Sequence, residues 1–122
     1  MKKILIVEDD LKMRKLIVDA FTEQGFKTEE ASDGQEGLKV ALDTKPDIIL
    51  TDLIMPIMDG LTMVRKLRED AWGKDVPITV LTNSDQADTI ADALDKGIFK
   101  YIVKSDLSID DIVKRITKEL GQ

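Results

Sequence analysis

A chain of 122 residues, 43% apolar and 34% charged, is expected to form one globular domain around a single well-formed core, and no long polar tract signals disorder. Its longest apolar runs are only of strand length, which excludes a membrane-spanning helix and with it membrane insertion. A formal charge of −6 argues against direct nucleic-acid binding, and the absence of histidine and cysteine removes imidazole, thiol and disulfide chemistry, as suits a cytoplasmic protein.

Two lysines, Lys2 and Lys3, precede the apolar run of "KILIV" (3–7), but that run is short and turns acidic, so it reads as a strand and not as a secretory leader. Met13, Leu16, Ile17, Ala20 and Phe21 then fall at helical spacing and predict a helix over 10–24, stopped by Gly25. "FKTEEA" (26–31) is a second strand, polar enough to be an edge, and a helix follows over 33–44. "DIILT" (47–51) reads as a strand buried on both faces. It leads through an irregular loop with Pro56 to a helix over 60–71 that Gly60 opens. "VPITVLT" (76–82) is the fourth strand. A fourth helix over 85–96 turns Ala87, Ile90, Ala91 and Leu94 inward, and Asp88, Asp92 and Asp95 outward. "FKYIV" (99–103) is the fifth strand. Ser108 and Asp111 then make a capping box for a last helix over 108–120, with Ile109, Ile112, Val113, Ile116 and Leu120 on its apolar face.

With no linker, repeat or low-complexity segment, residues 1–122 are expected to be one domain. Strict alternation of strand and helix predicts an α/β fold: a doubly wound five-stranded parallel sheet with right-handed crossovers and five helices on its two faces. The first, third and fourth strands are the most apolar and belong at the centre, giving the order 2-1-3-4-5. A ligand site is then expected outside the carboxyl ends of the strands, near the switch point between strands 1 and 3.

Those carboxyl ends carry a short set of residues. Strand 1 ends in Glu8, Asp9 and Asp10, strand 3 in Asp52, strand 4 in Thr82, Asn83 and Ser84, and strand 5 in Lys104. The carboxylates of Glu8, Asp9 and Asp52 gathered in one cleft would repel, and a hard cation such as Mg²⁺ with oxygen ligands is their natural neutraliser. Lys104 adds a point charge and Thr82 a hydroxyl donor, so three phosphoryl oxygens could be held around Asp52, a carboxylate able to form an acyl phosphate. Taken singly, each residue has a plainer role. Asp10 is a helix cap, Thr82 a turn hydroxyl, Lys104 a solvated lysine, Tyr101 a packing residue. Their conjunction at four strand ends is what points to chemistry.

The segments "ILIVEDD", "DIILTDLIMPIMDG", "ITVLTNS" and "KYIVKS" resemble the four signature segments of the receiver domain of two-component response regulators. The resemblance covers essentially the whole chain and is most specific from Asp52 to Gly60. Chemotaxis members of that family have this flavodoxin-like 2-1-3-4-5 order, so the strand order is not an independent discovery. The resemblance implies that Asp52 is the phosphoacceptor, served by a histidine kinase or histidine phosphotransfer protein. It implies that Glu8 and Asp9 are the acidic pair, with Asp9 the more direct Mg²⁺ ligand, joined by Asp52 and the backbone carbonyl of Ile54. Thr82 would be the switch hydroxyl, Lys104 the charge partner, and Tyr101 the aromatic that turns inward when Thr82 moves. Such a domain is no conventional enzyme, although it catalyses its own phosphorylation and dephosphorylation. A phosphoryl group adds about −1.5 to −2 charges and biases an existing equilibrium. The readout would lie on the fourth helix, fifth strand and fifth helix, serving a downstream protein target or a fused output domain. The acidic stripe of the fourth helix is either part of that partner surface or a solvated face. Leu11 and Val18, off the core stripe beside Arg14 and Lys15, would either dock the kinase helix as an exposed apolar pair or pack against nearby loops.

Two positions depart from the family pattern. Ser105 stands where proline usually follows the lysine. A cis bond there would cost about 2.5–4 kcal/mol, so a trans Lys104–Ser105 bond or a rearranged loop is expected. Asn83 replaces a small residue and would hinder access to the phosphoryl group. Both hint at the alternative of a receiver-like binding module that works without phosphorylation, but the intact acids, Thr82 and Lys104 outweigh them. A haloacid-dehalogenase-type phosphatase would need a second aspartate where Ile54 stands, and a flavodoxin-like electron carrier would not place "EDDLKM" at its phosphate loop. The chain stops just past the fifth helix with no output domain, as a stand-alone regulator or an excised receiver would.

Overall fold

The computed structural model describes residues 2–82, 100–104 and 108–121. In chain order these form β1 (Lys3–Val7), α1 (Leu11–Glu23), β2 (Lys27–Ala31), α2 (Gly34–Thr44), β3 (Ile48–Asp52), α3 (Gly60–Arg68), β4 (Ile78–Thr82), β5 (Lys100–Val103) and α4 (Ile109–Glu119). All strand pairs are parallel, and the sheet order is β2-β1-β3-β4-β5, as the apolarity of the strands predicts. The fourth predicted helix, over 85–96, lies outside the described residues, among which there are four helices. None of them is long and apolar enough to cross a membrane.

Successive strand side chains point to opposite faces, so the near-continuous apolar runs of β1, β3 and β4 feed two cores at once. Leu5, Val7, Ile49 and Val80 meet Met63 and Leu67 on the face covered by α2 and α3. Ile4, Ile6, Leu50 and Leu81 meet Ile17, Phe21, Ile112 and Ile116 on the face covered by α1 and α4. Phe21 and Phe26 add an edge-to-face ring pair with centroids 5.2 Å apart. β2, bonded to β1 alone and with mostly polar residues, is the edge its composition predicts.

Each of the four described helices begins on a side chain that accepts an orphan backbone amide. Asp10 takes Met13 N, Asp33 takes Glu36 N, Asp59 takes Thr62 N and Ser108 takes Asp111 N, with the Asp111 carboxylate completing the expected capping box. Gly25 follows α1 at φ +90°, a conformation that glycine adopts without strain.

The departures from expectation have local causes. α3 ends at Arg68, short of residue 71, because groups farther along the chain build a tight turn instead. The Asp70 carboxylate accepts from the amides of Trp72 and Gly73, and Arg68 Nη1 donates to the carbonyls of Gly73 and Val76 at 2.6 and 2.8 Å. β4 begins at Ile78 because Pro77 has no amide for a ladder. On α1, Leu16 is 56% exposed although it was expected inward, while Val18 is half-buried against the second core. At about 100° per residue, Val18 lies roughly 80° from the centre of the Ile17–Phe21 stripe and Leu16 roughly 120°. Of Leu11 and Val18, which the sequence leaves open between an exposed apolar pair and packing residues, Leu11 is exposed and Val18 packs.

The turn after α3 yields a direct test. A Cβ at Gly73 would collide with the Leu67 backbone carbonyl, which cannot rotate away. Gly73→Ala should lower unfolding stability by about 1–3 kcal/mol in urea denaturation. Unchanged stability would mean that the turn relaxes freely.

Candidate functional site

The register of the sheet carries the functional side chains to one rim. Val7 pairs with Thr51, Asp52 with Leu81 and Thr82 with Val103, so the residues at the carboxyl ends of β1, β3, β4 and β5 stand side by side. Glu8 prolongs the β1–β2 ladder by donating its amide to the Ala31 carbonyl at 3.0 Å, and its side chain is only 2% exposed. Asp9, next along the chain, is exposed. Asp52 is the last residue of β3, one later than expected, and its Oδ1 accepts the Leu53 amide at 2.8 Å.

Carboxylate oxygens of Glu8, Asp9 and Asp52 all lie within 4.8 Å of one another. Lys104, just after β5, reaches across with Nζ donating to Asp52 Oδ2 at 2.9 Å and to Glu8 Oε1 at 3.3 Å. Thr82 is fully buried at the end of β4. Four of the residues singled out in the sequence are thus brought together, and Thr82 closes the same rim. Asp10 is a helix cap, as its plainer reading had it.

The loop that follows Asp52 is fastened from two sides. Gly60 N donates to the Leu53 carbonyl at 2.8 Å, and a Cβ there would strike the Asp52 carbonyl, so only glycine lets α3 start so close to the end of β3. Gly34, at the start of α2, donates to the Met58 carbonyl at 2.9 Å. Between these ties the chain makes a γ-turn, with Met58 N on Pro56 O at 2.7 Å and Ile57 at φ +70°. A β-branched residue is strained there, and Ile57 is 77% exposed, so burial does not offset the strain. Ile54 also holds its side chain out in solvent.

Tyr101 lies opposite Val80 in the β4–β5 register, and its side chain lies outside the described residues, as do Asn83, Ser84, Ser105 and the Lys104–Ser105 bond. Arg14 and Gly34 escaped sequence reasoning. Arg14 Nη1 donates to the Glu8 carbonyl at 2.8 Å while its Nε pairs with Glu30 at 3.0 Å. No residue spacing reports a side chain that acts on a backbone carbonyl across the fold.

The charges of the rim are unbalanced without a cation. Burial pushes the Glu8 carboxyl up from 4.5 to about 7, helped by its hydrogen bond and repulsion with Asp52 and opposed by Lys104 and the Asp10 amide. Burial works against the Lys104 charge, but the hydrogen bond and charge of Asp52, with those of Glu8, outweigh it and hold the ammonium above its ordinary range. Three hard oxygen donors, one of them on exposed Asp9, form a donor set that suits a small divalent ion, and such an ion would compete with the proton for Glu8.

A pH dependence follows. Between about 4.5 and about 7 the native protein binds more protons at Glu8 than the unfolded chain does. The stability this contributes is complete below the lower value and is lost as pH rises through the upper one. In chelator, native stability relative to Glu8→Gln should fall across that window in denaturant titrations. Parallel profiles would show that Glu8 titrates normally.

Residues 4–117 match the family model of the response regulator receiver domain. Among curated relatives, the phosphate regulon transcriptional regulatory protein PhoB of Pseudomonas aeruginosa is 36% identical over 103 residues, which are 84% of this chain and 45% of PhoB. The DNA-binding dual master transcriptional regulator RpaA of Synechocystis sp. is 30% identical over 116 residues, 95% of this chain and 48% of RpaA. The chain spans about half the length of these relatives. Among solved structures, the chemotaxis response regulator CheY4 of Vibrio cholerae superposes with a TM-score of 0.88 at 27% identity, covering 97% of this chain and 98% of that one. The receiver domain of the sensor histidine kinase PA1611 of Pseudomonas aeruginosa, which has a magnesium ion coordinated in its active-site cleft, gives 0.87 at 25% identity over 99% and 98%. Sheet order, acidic rim and sequence match agree, and the chain belongs to the receiver-domain family of two-component response regulators, whose general function is a phosphorylation switch in signal transduction.

Proposed function

We propose that residues 1–122 act as one cytoplasmic receiver domain in which Asp52 accepts a phosphoryl group from a histidine kinase or histidine phosphotransfer protein. Glu8, Asp9, Asp52 and the backbone carbonyl of Ile54 would hold Mg²⁺. The observation that carries this reading is the Lys104 ammonium 2.9 Å from Asp52, within a trio of carboxylates at the strand ends.

The Asp52 oxygen not engaged by Lys104 would still have to be freed from the Leu53 amide or attack beside it. An Asp52 lone pair forms the new O–P bond as the P–N bond to the donor breaks, and that electron pair returns to the imidazole, which takes a proton from solvent. Lys104 follows a phosphoryl oxygen with its ammonium, and the Thr82 hydroxyl donates to another. Bound Mg²⁺ supplies charge neutralisation for the transferring oxygens. Water attack at phosphorus later restores Asp52 and releases inorganic phosphate. In the phosphorylated form Thr82 and Lys104 are drawn onto the new group, Tyr101 turns inward, and the population shifts toward a state with an altered surface on β5, α4 and the preceding segment. That surface regulates a separate protein or an output domain on the same polypeptide. The magnesium of the PA1611 receiver and the transcriptional roles named for PhoB and RpaA support this reading by analogy.

Intact mass after incubation with a small phosphodonor and Mg²⁺ tests it. One phosphoryl adduct should form, fail to form with chelator, and be absent from Asp52→Asn. Lys104→Met should slow formation on the order of a hundredfold while the protein stays folded. A folded protein with no adduct from either the small donor or its own kinase would favour the receiver-like module that works without phosphorylation.

A further inference from the structure

We propose that Arg14 is a positioning residue for the cation site, holding the peptide that joins Glu8 to Asp9 so that both carboxylates face one ion. The proposal rests on the reading of this rim as a Mg²⁺ site. In a continuing strand, adjacent residues project to opposite faces, so Glu8 and Asp9 can share a ligand only if the chain leaves the ladder between them. It does so at this point. The β1–β3 register ends at Val7–Thr51, while the Glu8 amide is still tied to the Ala31 carbonyl.

The Glu8 carbonyl belongs to the peptide unit that carries the Asp9 amide. Peptide planarity means that fixing this oxygen fixes the plane from which Asp9 departs. Arg14 Nη1 fixes it at 2.8 Å. Its own orientation is set by Nε on Glu30 Oε1 at 3.0 Å, and its side chain is only 16% exposed. Glu30 sits beside Ala31 in β2, so the clasp ties α1, β2 and the acidic turn together. The Arg14 amide donates to the Asp10 carbonyl at 2.9 Å, which anchors the far side of the same turn. Two donors on different nitrogens of one rigid plane do this, and a lysine ammonium cannot reproduce that fork.

Calorimetric Mg²⁺ titration of the native protein, Arg14→Met, Arg14→Lys and Glu30→Ala tests the clasp, together with amide hydrogen exchange at Asp9 and Asp10. Arg14→Met and Arg14→Lys should each lose about tenfold in Mg²⁺ affinity, Glu30→Ala less, and exchange at both amides should quicken. Gly73→Ala, destabilised at the far end of α3, should bind as the native protein does. Arg14→Met binding within about twofold of native, or Arg14→Lys restoring native affinity, would overturn the proposal, since charge alone or nothing at all would then be at work. If Arg14→Met fails to fold, native affinity in Glu30→Ala overturns it and a loss sustains it. If the native protein binds no Mg²⁺, the site reading itself fails, and the exchange rates alone then decide whether Arg14 holds the turn.

Discussion

One ammonium shared by two carboxylates is the interaction on which the rest of this structure depends. Lys104 lies between Asp52 and a Glu8 side chain that is almost wholly out of water, and Asp9 adds a third acid to the cluster. A buried carboxylate this close to a second, half-buried one needs compensation if both are to stay charged. The rim therefore has three ways to settle its charge: the lysine, a proton on Glu8, or a divalent cation. Each is adjustable, which is what a site needs if a doubly charged phosphoryl group is to arrive and leave.

Such a site costs stability, and the sheet beneath it supplies the offset. β1, β3 and β4 bury apolar side chains on both faces, so the strands that present Glu8, Asp52 and Thr82 are anchored in both cores. The loop after Asp52 is pinned by Gly34 and Gly60 yet keeps a strained, exposed Ile57 at its tip. Among the described residues, non-glycine backbone strain falls at this loop and at Lys45, the C-cap of α2.

The strands and the rim were legible in the sequence because they rest on local signals. Apolar runs mark the buried strands, polar "FKTEEA" marks the edge, and acids, hydroxyl and lysine follow the runs directly. What stayed hidden depends on distant partners. The end of α3 is set by Arg68 reaching Gly73 and Val76, and the exposure of Leu16 by which side of the Ile17–Phe21 stripe it occupies. Lys45 closes α2 in the left-handed conformation, with no glycine to announce it. Arg14 was visible only as a surface cation, and its role appears when its guanidinium is seen on the Glu8 carbonyl.

The charge balance is tested most directly by Mg²⁺ titration of the native protein beside Lys104→Met at pH 8.5, above the value of about 7 at which Glu8 takes a proton when Lys104 is present. If Lys104 and the cation compensate the same carboxylates, removing the lysine leaves the acids without their resident positive charge, and Mg²⁺ should bind severalfold more tightly. Equal or weaker binding in a folded Lys104→Met protein would contradict the account, because the lysine and the ion would then not share one acidic site.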